Sequence, residues 1–156
     1  MAKATPATTL LERAGIAFKL HEYDYDPDAK QIGMQAAEAL GVDPGRLLKT
    51  LMAKAGGAMV CVLVPSDAEV SLKKLAAAAG AKDAAMLPPA EAERITGYHV
   101  GGISPFGQKK RVRVFVDEAA LAHASIVVNG GRRGLQIELA PADLVRVLAA
   151  TAAALR

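Results

Sequence analysis

The sequence predicts an α+β fold, a curved mixed or antiparallel sheet with helices packed around it, in a single domain spanning residues 1–156. Three observations carry that prediction. Apolar runs at 47–54 and 58–64 are separated by Gly56-Gly57, a strong hairpin signal. Two further runs, 125–128 and 135–139, flank the glycine- and arginine-rich turn Asn129-Gly130-Gly131-Arg132-Arg133-Gly134. Helical segments with recognisable caps are interspersed among these strands.

In chain order, Thr5 is the expected N-cap of a first helix, with Pro6 at its first position and Gly15 closing it. Residues 17–23 alternate as a strand, and the acidic stretch 24–28 with Pro27 reads as a loop. A helix is expected over 33–40, ended by Gly41, before the Asp43-Pro44-Gly45 turn. After the hairpin, Ser71 caps a helix to Ala79 that Gly80 closes, and its Lys73 and Lys74 can lie along the surface. Pro88-Pro89 opens a short helix through Arg94, and residues 96–107, rich in Gly and Ser, read as a long loop. Val112, Val114 and Val116 alternate with Arg111, Arg113 and Phe115 as a half-buried strand. Pro141 starts a C-terminal helix with Leu144, Val147, Leu148 and Leu155 on one side.

Composition excludes several classes. Of 156 residues, 52% are hydrophobic, but 33 are alanines, which bury little area each. The larger apolar residues suffice for one core. Disorder is excluded by that apolar content and a net charge of only +3. No apolar run approaches the roughly 18 residues of a membrane span, and no signal core opens the chain. The expected location is the cytoplasm. A single cysteine, Cys61, forms no internal disulfide and no cysteine-based zinc site. It lies in an apolar strand and is expected to be an inert thiol. His21, His99 and His123 are scattered without metal-ligand spacing, so no metal or cofactor is expected.

Charge is unevenly placed. Residues 1–93 carry ten Lys and Arg against twelve Asp and Glu, whereas residues 94–156 carry nine against four. The positive part clusters at Lys109, Lys110 and Arg111 and at Arg132 and Arg133. Such clusters attract phosphates. No zinc finger or leucine zipper pattern accompanies them, so DNA is not an expected partner.

Three features could carry chemistry. Lys49 sits among apolar neighbours in a strand, where it either points to solvent or lines a pocket and holds a phosphate or ester oxygen. In the loop 97–107, adjacent Gly101 and Gly102 let backbone amides approach a ligand. The turn 129–134 is either a tight turn or a basic rim. No GxSxG elbow, Walker sequence or GxGxxG motif is present.

Together, Lys49-Thr50-Leu51, TGYHVGGISPFGQKKR at 96–111 and GGRRGLQIEL at 130–139 resemble the YbaK/EbsC family. Its members are freestanding relatives of the editing domain of bacterial prolyl-tRNA synthetases. FKLHEYDYDP at 18–27 also fits, and the likeness runs in order along essentially the whole chain. The resemblance implies hydrolysis of the ester of a mischarged tRNA(Pro), foremost Cys-tRNA(Pro), with prolyl-tRNA synthetase as a partner. It makes Lys49 the contact to the terminal adenosine and its phosphate, and Gly101, Gly102, Ile103, Ser104 and Pro105 the loop around the aminoacyl group. It places Tyr23, Ile32, Thr50, Asn129, Gly130 and Gln136 at substrate-binding positions. Lys109, Lys110, Arg111, Arg132 and Arg133 are the expected tRNA-binding residues. In the cysteine-specific branch, the substrate's own thiol attacks its ester, and the protein supplies positioning and backbone donors. Two departures stand out: Gln136 occupies a position where the cysteine deacylases carry Asp, and Asn129 one where Ser is expected. They bear on which amino acid is removed, not on the fold. The rival readings are a deacylase for Ala-tRNA(Pro) or another small amino acid, and a non-catalytic binder of a tRNA acceptor end or of a nucleotide.

Overall fold

The computed structural model describes residues 4–28 and 32–156. Its elements run α1 (Pro6–Arg13), β1 (Lys19–Glu22), α2 (Ile32–Leu40), β2 (Leu48–Ala55), β3 (Ala58–Pro65), α3 (Leu72–Ala79), β4 (Ala84–Met86), α4 (Pro89–Thr96), β5 (Arg113–Asp117), β6 (Ile126–Asn129), β7 (Leu135–Leu139), α5 (Pro141–Leu148) and β8 (Thr151–Ala153). A 3-10 turn, Glu118–Ala122, follows β5.

The α+β architecture is as predicted, but the strands form two sheets. A five-stranded mixed sheet has the order β4-β2-β3-β5-β8, and a three-stranded antiparallel sheet the order β1-β7-β6. An isolated parallel bridge, Leu47 to Val127, links them. The Gly56-Gly57 hairpin forms in the expected register, with Lys49 opposite Val64 and Ala55 opposite Ala58.

The caps behave as their residue types dictate. The Thr5 side chain accepts from the Thr8 amide and that of Ser71 from the Lys74 amide. Gly80 and Gly97 end α3 and α4 in the left-handed conformation.

One core cluster contains Leu11, Leu48, Met52, Phe106, Val116, Ile126, Ile137 and Leu144. A second contains Val60, Val62, Val64, Leu75, Phe115 and Leu155. Two expectations fail here. β5 is buried on both sides, because Val114 and Val116 join the first cluster and Phe115 the second. It runs parallel between β3 and β8, so no face is left to solvent. The C-terminal helix stops at Leu148, where Ala149 takes φ +49°, and the chain adds β8 beside β5. Leu155 therefore packs in the second cluster rather than along the helix. The alanines of 149–154 carry no period that distinguishes a strand from a helix.

A third, small cluster matters most for the site. Ala36 and Ala37 of α2 pack on Leu47 and Val127, with Tyr23 and Val42 against them. This seats α2 over the junction of the two sheets.

Candidate active site

At that junction lies a half-open cavity of about 420 Å³, a volume in the usual range for small-molecule sites. Its walls come from seven places in the chain: Tyr23 after β1, Met34 and Ala36 of α2, Leu47 and the first residues of β2 to Leu51, Ser66, Asp67 and Glu69 after β3, Val100, Gly101 and Ile103 of the glycine loop, Asn129 of β6 and Gln136 of β7.

Lys49 is held by the ladders of β2, which pairs with β3 along its length. Its ammonium makes no hydrogen bond or ion pair to any described residue. It is thus available to an anionic or carbonyl oxygen of a ligand. Next to it, Thr50 Oγ1 is buried without a partner among the described residues, as is Gln136 Oε1. An unmet buried polar atom costs roughly 1–3 kcal/mol, and both atoms belong to residues of the cavity lining. Burial raises the Tyr23 hydroxyl pKa above its ordinary value; the Gln136 side chain opposes the shift and Tyr25 adds to it.

The glycine loop is fixed from behind. The Tyr98 hydroxyl donates to the Phe106 carbonyl at 2.6 Å, and Gln108 Nε2 to the Ser104 carbonyl at 3.0 Å. Burial pushes the Tyr98 pKa to about 12, so this donor stays protonated. Gly102 lies against the turn 129–134: a Cβ there would stand 2.8 Å from the Arg132 carbonyl carbon and the Arg133 nitrogen. Only a residue without a side chain permits that approach. The Thr5 hydroxyl donates to the Gly130 carbonyl at 2.6 Å, tying the same turn to α1.

Of the residues singled out from sequence, the cavity gathers Tyr23, Lys49, Thr50, Gly101, Ile103, Asn129 and Gln136. Others lie elsewhere. The Gly102 amide, expected as a donor to the substrate, is donated instead to the His99 carbonyl at 2.8 Å. Gly102 faces a second cavity, lined also by Tyr98, His99, Arg132 and Arg133. Ser104 is fully buried outside the lining of the 420 Å³ cavity, and its hydroxyl accepts from the Phe106 amide at 3.2 Å. Pro105 is buried and borders a separate cavity with Leu10 and Arg111. Gly130 is buried under Leu135. The Ile32 side chain lies outside the described residues. Lys109, Lys110 and Arg111 are exposed and border none of the 420 Å³ cavity. Arg132 pairs with Glu22 at 3.4 Å, while the Arg133 guanidinium lies over the Tyr25 ring.

Sequence reasoning missed Met34, Ser66, Asp67, Glu69 and Val100. The hairpin register holds a partial signal for Ser66. Leu48 pairs with Pro65, which brings Ser66 beside Leu47, and its hydroxyl donates to the Leu47 carbonyl at 2.6 Å. Nothing local marks Asp67 and Glu69, which are exposed at the cavity.

The chemistry open to this site is narrow. The described lining residues include neither Cys nor His, and the one lining serine spends its hydroxyl on a backbone carbonyl. Cys61 is fully buried, with its thiol pushed up to about 12, first by burial. What remains is a cation, the Asp67 and Glu69 carboxylates, the Thr50 hydroxyl and a Gly101 amide without a partner among the described residues, a set able to hold an ester while a water or a group of the substrate attacks it. That is the class of a positioning hydrolase on an α+β scaffold.

The comparisons with known proteins agree. The aminoacyl-tRNA editing domain family matches over residues 26–147. EbsC of Enterococcus faecalis, described as a candidate Cys-tRNA(Pro)/Cys-tRNA(Cys) deacylase, is 39% identical over 139 residues, covering 88% of this chain and 84% of its own. YwhH of Bacillus subtilis is 35% identical over 111 residues, 70% of each chain. The crystal structure of a candidate trans-editing enzyme for prolyl-tRNA synthetase superposes with a TM-score of 0.85 at 23% identity, covering 99% of both chains, a likeness of fold. The chain belongs to the aminoacyl-tRNA editing domain family, in its YbaK/EbsC branch, and is an aminoacyl-tRNA deacylase.

Proposed function

We propose that the whole chain acts as one deacylase domain that clears mischarged tRNA(Pro) in trans in the cytoplasm, with Cys-tRNA(Pro) as its leading substrate. The observation that carries this reading is the pairing of Lys49, without a partner among the described residues, with a cavity whose described walls hold no Cys, no His and no free Ser hydroxyl. The likeness to EbsC supports cysteine as the amino acid removed. A cysteinyl ester brings its own nucleophile. Its sulfur bonds to the carbonyl carbon, the ester C–O bond breaks, and the thiol proton passes to the leaving ribose oxygen. The protein holds the ester in place, a contribution of roughly 7–11 kcal/mol in well-oriented intramolecular reactions.

Lys49 is assigned to the terminal adenosine and its phosphate, the Gly101 amide to the developing oxyanion, and Tyr23, Thr50 and Gln136 to the aminoacyl group. A second reading, removal of alanine or another small residue by a positioned water, is favoured by Gln136. This buried amide puts no charge where a carboxylate could meet the substrate's amine or thiol. Arg132, Lys109, Lys110 and Arg111 are assigned to tRNA contacts. With a net charge of +3 and a Debye length of about 8 Å, tRNA affinity is weak. Prolyl-tRNA synthetase is the proposed partner that supplies tRNA(Pro) at high effective concentration.

The test is ester loss from tRNA(Pro) charged with Cys, Ser, Ala or Pro. Thiol-assisted attack clears the cysteinyl ester and spares the seryl one. Clearance of alanyl ester alone selects the second reading, and no clearance of any ester refutes the enzyme. Lys49→Ala lowers kcat/KM by about 10- to 100-fold, the worth of one hydrogen bond to a charged group, and an unchanged rate removes Lys49 from the site.

A further inference from the structure

We propose that Asn129 and Arg133 are positioning residues of the deacylation, which together hold two successive peptide planes of the glycine loop so that the Gly101 N–H is presented to the ester. This rests on the deacylase reading, and it replaces direct substrate and tRNA contact as the main task of these two side chains.

The geometry is a two-point clamp. Arg133 Nε donates to the Val100 carbonyl at 2.9 Å. The Arg133 guanidinium is itself aimed by the Tyr25 ring, 5.4 Å from its centroid. A trans peptide points its C=O and N–H in opposite directions. With the Val100 oxygen turned to Arg133, the Gly101 N–H faces the other way, and both Val100 and Gly101 line the cavity. The next plane is pinned at both ends: Asn129 Nδ2 donates to the Gly101 carbonyl at 3.2 Å, and the Gly102 N–H donates to His99. The chain turns between the two planes at Gly101 with φ +91°, which a side chain would resist.

Asn129 serves both loops at once. Its Nδ2 also reaches the Arg132 carbonyl at 3.3 Å, and its Oδ1 accepts from the Gly131 amide at 2.7 Å. A serine has one hydroxyl and cannot make all three bonds. In this run, the Val100 and Gly101 carbonyls and the Gly102 amide are all occupied. The Gly101 N–H has no acceptor among the described residues. An amide left open inside an otherwise satisfied loop, at the wall of the cavity, is a donor for charge that develops in the reaction.

Two variants separate this from the alternatives. Asn129→Asp keeps the acceptor for Gly131 but sets a carboxylate oxygen against the Gly101 and Arg132 carbonyls. Arg133→Lys keeps the positive charge but loses the planar Nε–H donor. Each is assayed on cysteinyl- and alanyl-tRNA(Pro) and on the same amino acids esterified to adenosine alone. The expected result is a fall in kcat of about 10- to 100-fold on both kinds of substrate, towards the loss seen when an oxyanion donor is removed, with KM within about twofold.

A rise in KM confined to the tRNA substrates in Arg133→Lys would make Arg133 a phosphate contact and overturn its role here. A fall in KM in Asn129→Asp would make that residue a ligand of the substrate ammonium, with the same consequence for it. Amide hydrogen exchange reads the clamp without turnover. Asn129→Asp should speed exchange at Gly102 more than at the amides of the core strands, and wild-type protection there overturns the clamp. A wild-type protein inactive on every ester while the exchange change is present would instead refute the deacylase reading.

Discussion

Gly102→Ala tests whether the contact between the glycine loop and the turn 129–134 is functional or merely structural. An added methyl would stand 2.8 Å from backbone atoms of Arg132 and Arg133, whereas ordinary contact begins at 3.4 Å. Backbone cannot rotate aside as a side chain can, so the two segments must part by about 0.6 Å. Overpacking of this kind costs about 1–3 kcal/mol, or roughly 2–12 °C in melting temperature for a chain of this size. The same displacement stretches the Asn129–Gly101 bond, already 3.2 Å, and tilts the Gly101 amide. Misplacement by about 1 Å costs some hundredfold in rate, so a fall in kcat of about tenfold or more is expected. Gly107→Ala is the control: its methyl would stand 2.7 Å from the Pro6 backbone, and Gly107 does not line the 420 Å³ cavity. Thermal melts and steady-state ester hydrolysis on both variants decide the matter. If Gly102→Ala melts lower but keeps wild-type kcat, or loses no more activity than Gly107→Ala, the loop contact is structural only and the reasoning is refuted.

With its thiol pushed up to about 12, Cys61 should resist alkylation at pH 8 in the folded protein and react only on unfolding; rapid native labelling would contradict its burial. Glu138 is held at about 2, by Ser125 first, then by His21 at 2.7 Å and Arg46 at 3.2 Å. Its folded value lies below its unfolded value of 4.5, so its contribution is complete above that pH and is lost as pH falls towards 2. With the side chain 19% exposed, about 2 kcal/mol is at stake after solvent screening, and denaturant melts of Glu138→Gln should lose that part of the acid sensitivity. Gln136→Asp places a carboxylate in a site only 4% exposed. Burial raises its pKa, so pH profiles of kcat/KM should gain an ionisation limb that is absent from wild type; superimposable profiles would show that the position does not face the substrate.

Local chemistry in the sequence determined a good deal: the hairpin at Gly56-Gly57, the caps at Thr5, Ser71 and Gly80, and the second strand pair around 129–134. These signals act within a few residues, through φ preferences and hydrogen bonds to neighbouring amides, and so they can be read in one dimension. Lys49, the paired glycines and the turn were conspicuous for the same reason, being residue types at odds with their immediate surroundings. Which of their groups are already hydrogen-bonded within the fold was decided by tertiary structure. Asn129 reaches Gly101 across 28 residues and Arg133 reaches Val100 across 33. Those two bonds occupy the Gly101 and Val100 carbonyls and fix how the peptide planes of the loop are turned. Arg133, conspicuous as a charge, is turned by Tyr25 and a carbonyl into a clamp. Asp67 and Glu69 reach the cavity only because β3 returns antiparallel to β2. An alanine-rich tail becomes a strand only because β5 presents an open edge. Hydrogen bonds and contacts between distant segments have no sequence period, and they decide which groups of the loop are spent on the fold and which are left for a substrate.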